Sequence, residues 1–211
     1  MRVANLVPEC EFHAMSDRKI QLSFPMPGPG QSAGAGLMDW HSYLALDEVL
    51  TGRGFRIRFY RGAFEIMSIS KLHERLKSII GILVQEYCDA SGIAYSVVGS
   101  ATNRLEGIAG AEPDESFIFG TEDKDKPDLV IEVGLTSGGI DKCELWAELG
   151  ARELWVWEND RLHAFALEKG IPMPLQNSGV LPGIDLVMLA EVVRIQPTSA
   201  AKLEFRKRLQ N

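Results

Sequence analysis

Apolar and polar residues alternate through "FRIRFYRGAFEIMS", residues 55 to 68. Phe55, Ile57 and Phe59 fall on one face, and Arg56, Arg58 and Tyr60 on the other. A period of two means strands, and Arg61-Gly62 between the runs supplies the turn of a hairpin. A period of 3.6 takes over in "KLHERLKSIIGILVQEYCDASG". Leu72, Leu76, Ile79, Ile80, Leu83, Val84 and Tyr87 make one stripe there, which predicts a long helix with Ser70 as cap and Gly92 as stop. A shorter helix over "MDWHSYLALDEVLTG" begins at Asp39.

Three strand-like segments follow the long helix: "AYSVVGSATNRL", "ESFIFG" and "DLVIEVGL". A short helix over "DKCELWAELG" ends at Gly150. "ELWVWEN" and "RLHAFALE" form a second hairpin about Asn159-Asp160. "LVMLAEVVRI" and "SAAKLEFRKRL" read as C-terminal helices. The order from residue 71 is helix, three strands, helix, strand. That is an α/β (α+β) arrangement, a sheet flanked by helices, with partly antiparallel pairing because the connections are short.

Residues 1–36 differ from the rest. "FPMPGPGQSAGAG" is rich in Pro, Gly and small residues and reads as an arm or linker. Residues 37–211 then form one domain, as a chain of 211 residues suggests. The balance of 45% hydrophobic and 24% charged residues suits an ordinary globular core. No stretch has the length of a membrane span, and no signal-peptide pattern opens the chain. Cys10, Cys88 and Cys143 fit neither a disulfide framework nor a zinc ribbon, so a reducing, cytoplasmic setting is expected.

The formal charge of −7 does not advertise a phosphate-gripping face. Basic residues do gather in "TGRGFRIRFYRG" and "KLEFRKR", which leaves room for a local basic surface.

The candidate chemistry lies in "PDLVIEVGLTSGGIDK". Glu132 interrupts an apolar strand, and a hard cation such as Mg²⁺ wants carboxylate oxygens. An exposed strand face explains a lone glutamate equally well, so partners decide. Asp128 shares its face, but four strand residues span ~13 Å. That is too far for both to ligate one ion at ~2.1 Å. Asp114 does better: if "ESFIFG" and "DLVIEV" are hairpin neighbours, it lies across from Glu132 with Cβ atoms about 5 Å apart. Asp128 then starts the strand after Pro127.

Lys142 shares a helical face with Leu145, Trp146 and Leu149, so it starts on the side turned toward the sheet. It either snorkels to water or aims its ammonium at the carboxylates. His73 and Glu74 open the long helix, where they could act as outer ligands or water-positioning groups. Glu74 equally suits the helix dipole. His13, His41 and His163 are isolated and receive no role. No Gly-rich phosphate loop, HExxH or nucleophile elbow is present.

The ordered set "HER", "EPDESFIF", "PDLVIEV" and "DKCELWAELGARELWVWE" resembles the Uma-type restriction-endonuclease family of the PD-(D/E)XK nuclease superfamily, over roughly residues 37 to 205. The resemblance implies a restriction-endonuclease-like core of helix, three antiparallel strands, helix and strand. It implies Asp114 and Glu132 as ligands of Mg²⁺ (or Mn²⁺) in a metal-dependent endonuclease acting on DNA. The superfamily lysine normally follows two residues after the acid, where this chain has Gly134. Lys142 matches a variant in which the lysine has moved to the next helix. A homodimer is compatible with cutting two strands. The acidic charge and the missing Glu-X-Lys keep two alternatives open: a non-catalytic binding or assembly module on a nuclease fold, and a nuclease that borrows its basic surface from a partner.

Overall fold

The computed structural model describes residues 10–13, 19–22, 32–134, 140–167 and 171–210. In chain order the strands are β1 (Cys10–His13), β2 (Lys19–Leu22), β3 (Ser32–Leu37), β4 (Phe55–Tyr60), β5 (Ala63–Ser68), β6 (Tyr95–Val97), β7 (Asn103–Leu105), β8 (Ala109–Ala111), β9 (Glu115–Phe119), β10 (Leu129–Val133), β11 (Glu153–Glu158), β12 (Arg161–Ala166) and β13 (Met173–Leu175). The helices are α1 (Trp40–Leu50), α2 (Lys71–Ser91), α3 (Lys142–Glu148), α4 (Leu186–Val193) and α5 (Thr198–Leu209).

The local signals act as the pattern predicts. Asp39 and Ser70 each accept a backbone N–H from the first turn of α1 and α2, and Gly92 ends α2 at φ +66°. Arg61 and Gly62 both have positive φ, as do Asn159 and Asp160. Two consecutive left-handed residues match the right-handed twist of a tight hairpin. These turns join β4 to β5 and β11 to β12.

Two sheets carry the fold. The larger has the order β13-β12-β11-β10-β9-β6. Its β10–β11 pair is parallel and its other pairs are antiparallel. The parallel step follows from α3, which carries the chain back over the sheet. The smaller sheet has the order β3-β5-β4-β8-β7. β10 is buried along its whole length, as a central strand covered on both faces must be. Its Leu129, Ile131 and Val133 pack with α2, α4 and α5, while Val130 packs with Leu145, Trp146 and Leu149 of the α3 segment. A third cluster sits between α1 and the hairpin β4–β5, built on Tyr43, Leu46, Ile57, Phe59 and Ile66.

Three sequence expectations change. The segment 94–105 is not one strand. It divides into β6, on the edge of the larger sheet, and β7, on the edge of the smaller one. Gly99, at φ +66°, lies in the break. Part of the supposed linker, Ser32–Leu37, pairs with β5, because small residues tolerate a ladder as readily as a loop; residues 23–31 lie outside the described residues. Leu72, counted in the apolar stripe of α2, is half exposed, while His73 beside it is buried.

Asp128 has the structural task expected of it. Its carboxylate accepts Phe119 N–H and the Lys124 ammonium at 2.8 Å each, and Arg152 at 3.0 Å, tying the β9–β10 connection together. Burial pushes this carboxyl up, but the Lys124 ammonium, the Phe119 N–H and Arg152 outweigh it and hold it below the usual carboxylate range. A carboxyl depressed in the folded state adds stability that is complete above its unfolded value of about 3.9 and is lost as pH falls through the folded value. Asp128→Asn is therefore expected to flatten the acid limb of stability, read as urea midpoints between about pH 5 and 2. Separately, a Cβ at Gly110 of β8 would land on the Tyr43 hydroxyl and ring, which are fully buried. Gly110→Ala should lower the unfolding free energy by about 1–3 kcal/mol, the range for overpacking, with the denaturant slope unchanged.

Candidate active site

The register of β9 against β10 pairs Leu129 with Phe117, Val130 with Ser116 and Ile131 with Glu115. One further step sets Glu132 across from Asp114, on the face shared with Val130 and Ser116. Asp114 stands just before β9, where the chain leaves β8 of the smaller sheet and enters the larger one. The carboxylate thus sits at the seam of the two sheets. Its Oδ2 accepts the Val133 N–H at 2.6 Å, which fixes it against β10. Both acids are essentially without solvent contact, at 1% and 0% exposure.

A buried carboxylate needs compensation, or it neutralises. Here the compensation comes from three directions. β4 of the smaller sheet turns Arg56 and Arg58 inward. Arg56 Nη1 reaches Asp114 Oδ1 at 2.5 Å, and Arg58 Nη2 pairs with Glu132 Oε2. From the start of α2, His73 Nε2 donates to Asp114 Oδ2 at 3.0 Å. From α3, Lys142 Nζ lies 3.5 Å from Glu132 Oε2, and Trp146 Nε1 donates to Glu132 Oε1 at 3.0 Å. Local structure sets each approach. The Ser70 hydroxyl caps α2 by accepting His73 N–H at 3.1 Å, holding His73 in the first turn. Asp141 caps α3 so that Lys142 is its first residue.

The electrostatics follow. Burial pushes the Asp114 carboxyl up, but hydrogen bonding and charge from His73, then Arg58 and Arg56, overcome it and leave the group well below the carboxylate range. Burial works against the Arg58 charge too, and Glu132, Asp114 and Glu65 outweigh it, raising its affinity for the proton. Arg58 also lies 3.6 Å from Glu65, its cross-strand neighbour on β5, and 3.0 Å from Met67 Sδ. Glu115, one residue beyond Asp114, points to the opposite face against Gly81 of α2, and there burial, with the Asp114 charge in support, raises its carboxyl.

The residues singled out in the sequence therefore fare differently. Asp114, Glu132, Lys142 and His73 meet in one place. Glu74 stands behind: its Oε1 lies 3.6 Å from His73 Nδ1, its Oε2 pairs with Lys77 at 3.0 Å, and its side chain is 42% exposed. Gly134 adds a telling contact. A Cβ built there would lie 3.4 Å from Lys142 Nζ. The lysine from α3 thus brings its ammonium beside the strand position from which the superfamily pattern projects one.

Sequence reasoning missed Arg56, Arg58 and Trp146. The arginines were expected to form part of a basic surface. Instead they are buried, at 9% and 1% exposure, because their face of β4 is turned to the acids of the larger sheet. The alternation in "FRIRFY" assigned them to a common face, and the unusual signal was two arginines in a strand whose neighbours are all apolar or aromatic. Trp146 was expected in the core. It is there, and its indole N–H also holds Glu132.

As a donor set, two carboxylates suit a hard divalent cation, which takes oxygen ligands. An ionised carboxylate offers about four lone-pair sites. Asp114 Oδ1 and Glu132 Oε1 each engage one hydrogen-bond donor among the described residues. The residues fit such an ion in kind, while guanidinium groups stand against the same two side chains. Among the described residues, no cluster of three or more His, Cys, Asp or Glu side chains is arranged to hold a metal. No helix among the described residues is long and apolar enough to cross a membrane.

No curated protein matches the chain. A family model described as "Putative restriction endonuclease", Uma2, matches residues 40–200, from the start of α1 into the first turn of α5. That span contains every residue of the site above and most of both sheets, and so the chain belongs to the Uma2 family, within the restriction-endonuclease-like superfamily.

Proposed function

We propose that the chain is a divalent-metal-dependent endonuclease that hydrolyses DNA phosphodiester bonds, with Asp114 and Glu132 as the ligands of Mg²⁺ or Mn²⁺. The observation that carries this reading is the meeting of two buried acids across adjacent strands with a lysine ammonium 3.5 Å from one of them. Membership of a restriction-endonuclease family supports it. The bound ion would polarise the phosphate and lower the pKa of a water.

The chain's own groups do the rest. Lys142 keeps its proton at Nζ and donates toward the phosphoryl oxygen on which negative charge grows. A preorganised donor in a water-poor site is worth far more than in bulk solvent. His73 acts on Asp114 rather than on substrate: its Nε2–H fixes Oδ2, and the Val133 N–H fixes the same oxygen from the other side. The carboxylate orientation is thus set before any ligand arrives, which reduces the ordering left for the reaction itself. Trp146 does the same for Glu132.

A second reading has its own observation. Asp114, Glu132 and Glu65 face Arg56, Arg58 and Lys142, so the buried acids are already balanced, with Glu112 at the rim 3.8 Å from Arg56. A balanced cluster serves equally as a structural joint in a non-catalytic module. Plasmid nicking separates the two. The hydrolase should nick supercoiled DNA with Mg²⁺ or Mn²⁺ and lose activity in chelator. Glu132→Gln and Asp114→Asn, shown to be folded by circular dichroism, should fall to background. Lys142→Met should lose about 10²–10³ in kcat, the range for one transition-state donor. Full nicking by Glu132→Gln removes Asp114 and Glu132 as the source of the cut, whereas a folded parent that neither nicks nor takes up either metal in calorimetry with DNA present selects the module.

A further inference from the structure

We infer that Arg58, with Arg56, is a latch on the carboxylate pair: it holds the place of the cation until a phosphodiester draws the guanidinium away, so metal and DNA phosphate bind interdependently. The inference rests on the metal-ligand role given above to Asp114 and Glu132. It adds a gate that this chain carries on β4.

Four observations lead to it. First, Arg58 and Arg56 pair with the same two side chains that an ion would use, one guanidinium to each. Second, the three fully buried acids already face three cations, with only the rim carboxylate of Glu112 in excess. Adding a divalent ion with all three cations in place brings two further positive charges into a region closed to water. Unit charges about 4 Å apart repel by several kcal/mol even at an effective dielectric near 20. Some cation must move for the ion to enter. Third, the arginines can leave without parting β9 from β10. Both come from the opposing sheet, 58 and 74 residues away in sequence from the acids they hold, and neither belongs to the strand pair that sets the acids facing each other. Fourth, Arg58 is not fully engaged. Its Nε has no hydrogen-bond partner among the described residues although it is buried, and Glu65 Oε2 beside it is likewise without one.

The ligand that would draw a guanidinium off a carboxylate is one with equal charge and a matching fork of oxygens. A phosphodiester has both, and arginine binds it in the same bidentate fashion. The exchange is balanced. Before it, guanidinium pairs with carboxylate and phosphate with water. After it, guanidinium pairs with phosphate and carboxylate with metal. Neither ligand completes the exchange well alone. Coupling of this kind is reciprocal: the factor by which duplex tightens the metal is the factor by which metal tightens the duplex.

The test measures Mn²⁺ binding from the free-ion electron paramagnetic resonance signal, with and without a short DNA duplex, for the parent, Arg58→Met and Glu132→Gln. The parent alone should bind Mn²⁺ weakly, and duplex should tighten it at least tenfold. Folded Arg58→Met should bind Mn²⁺ at least tenfold more tightly than the parent without duplex, and duplex should then add little. Glu132→Gln should bind weakly throughout. Equal Mn²⁺ affinity for the parent with and without duplex overturns the latch, and so does a folded Arg58→Met no tighter than the parent. If Arg58→Met does not fold, duplex affinity of the parent, by fluorescence anisotropy with and without Mn²⁺, decides alone. An unchanged duplex affinity overturns the latch. The nuclease reading fails separately: coupled binding with no nicking by any form upholds the latch and removes the hydrolase, whereas Glu132-dependent nicking with uncoupled binding does the reverse.

Discussion

The structure turns on two ion pairs that cross from one sheet to the other, Arg56 with Asp114 and Arg58 with Glu132. Each partner alone would be an uncompensated charge in a place closed to water. Removing one member of such a pair typically costs about 3–5 kcal/mol, although the intact pair adds little net stability over an apolar substitute. The pairs are therefore poorly explained as stabilisers. They are better understood as what allows two carboxyl groups to be buried at the seam. Once fixed, the acids define where the sheets meet, because the hairpin β4–β5 must present both arginines in register with Asp114 and Glu132.

Around that seam, each neighbouring element contributes one or two polar groups and otherwise packs as an apolar surface. α2 buries Ile79, Ile80 and Leu83 and sends His73 from its capped first turn. α3 buries Leu145 and Trp146 and sends Lys142 together with the indole N–H. β10 buries four aliphatic residues and sends Glu132. The result is an ionised cluster whose donors sit on helices and strands rather than on loops, and rigid supports of this kind keep a site within narrow geometric tolerance.

Much of this was legible in the sequence, and the limit falls at a physical boundary. Period and cap residues located α1, α2 and both hairpins, because those signals are local. The facing of Asp114 and Glu132 followed on the condition that β9 and β10 are hairpin neighbours, which their pairing meets. The side of α3 on which Lys142 lies followed from its spacing to Leu145 and Trp146. What alternation does not reveal is what a face meets. Arg56 and Arg58 were correctly grouped, but their partners lie on another sheet, and the neighbourhood of "FRIRFY" has no feature that names them. The same limit explains β6 and β7. A run of moderate strand propensity with a glycine in its middle reads as one strand until two sheets compete for its halves. β3 escaped notice because Gly and Ala carry almost no propensity signal.

The inward-turned arginines also bear on how an acidic chain would meet the nucleic-acid substrate proposed for it. Arg56 and Arg58 are turned inward, so they do not act at a distance on an approaching duplex. Nor does the basic C-terminal helix offer a free face, since Lys202 and Arg206 pair with Glu86, and Arg208 pairs with Glu191 and Glu204. Long-range steering of DNA by this surface is consequently weak. On the proposed reading, attraction would act at contact range, where a phosphate would meet groups that have been kept dry. In such a place each guanidinium–phosphate contact would be strong but gained only by giving up an equally buried carboxylate, so affinity would stay modest while metal and phosphate would become conditional on one another. A site of that kind would favour occupancy by both ligands together over tight retention of either one.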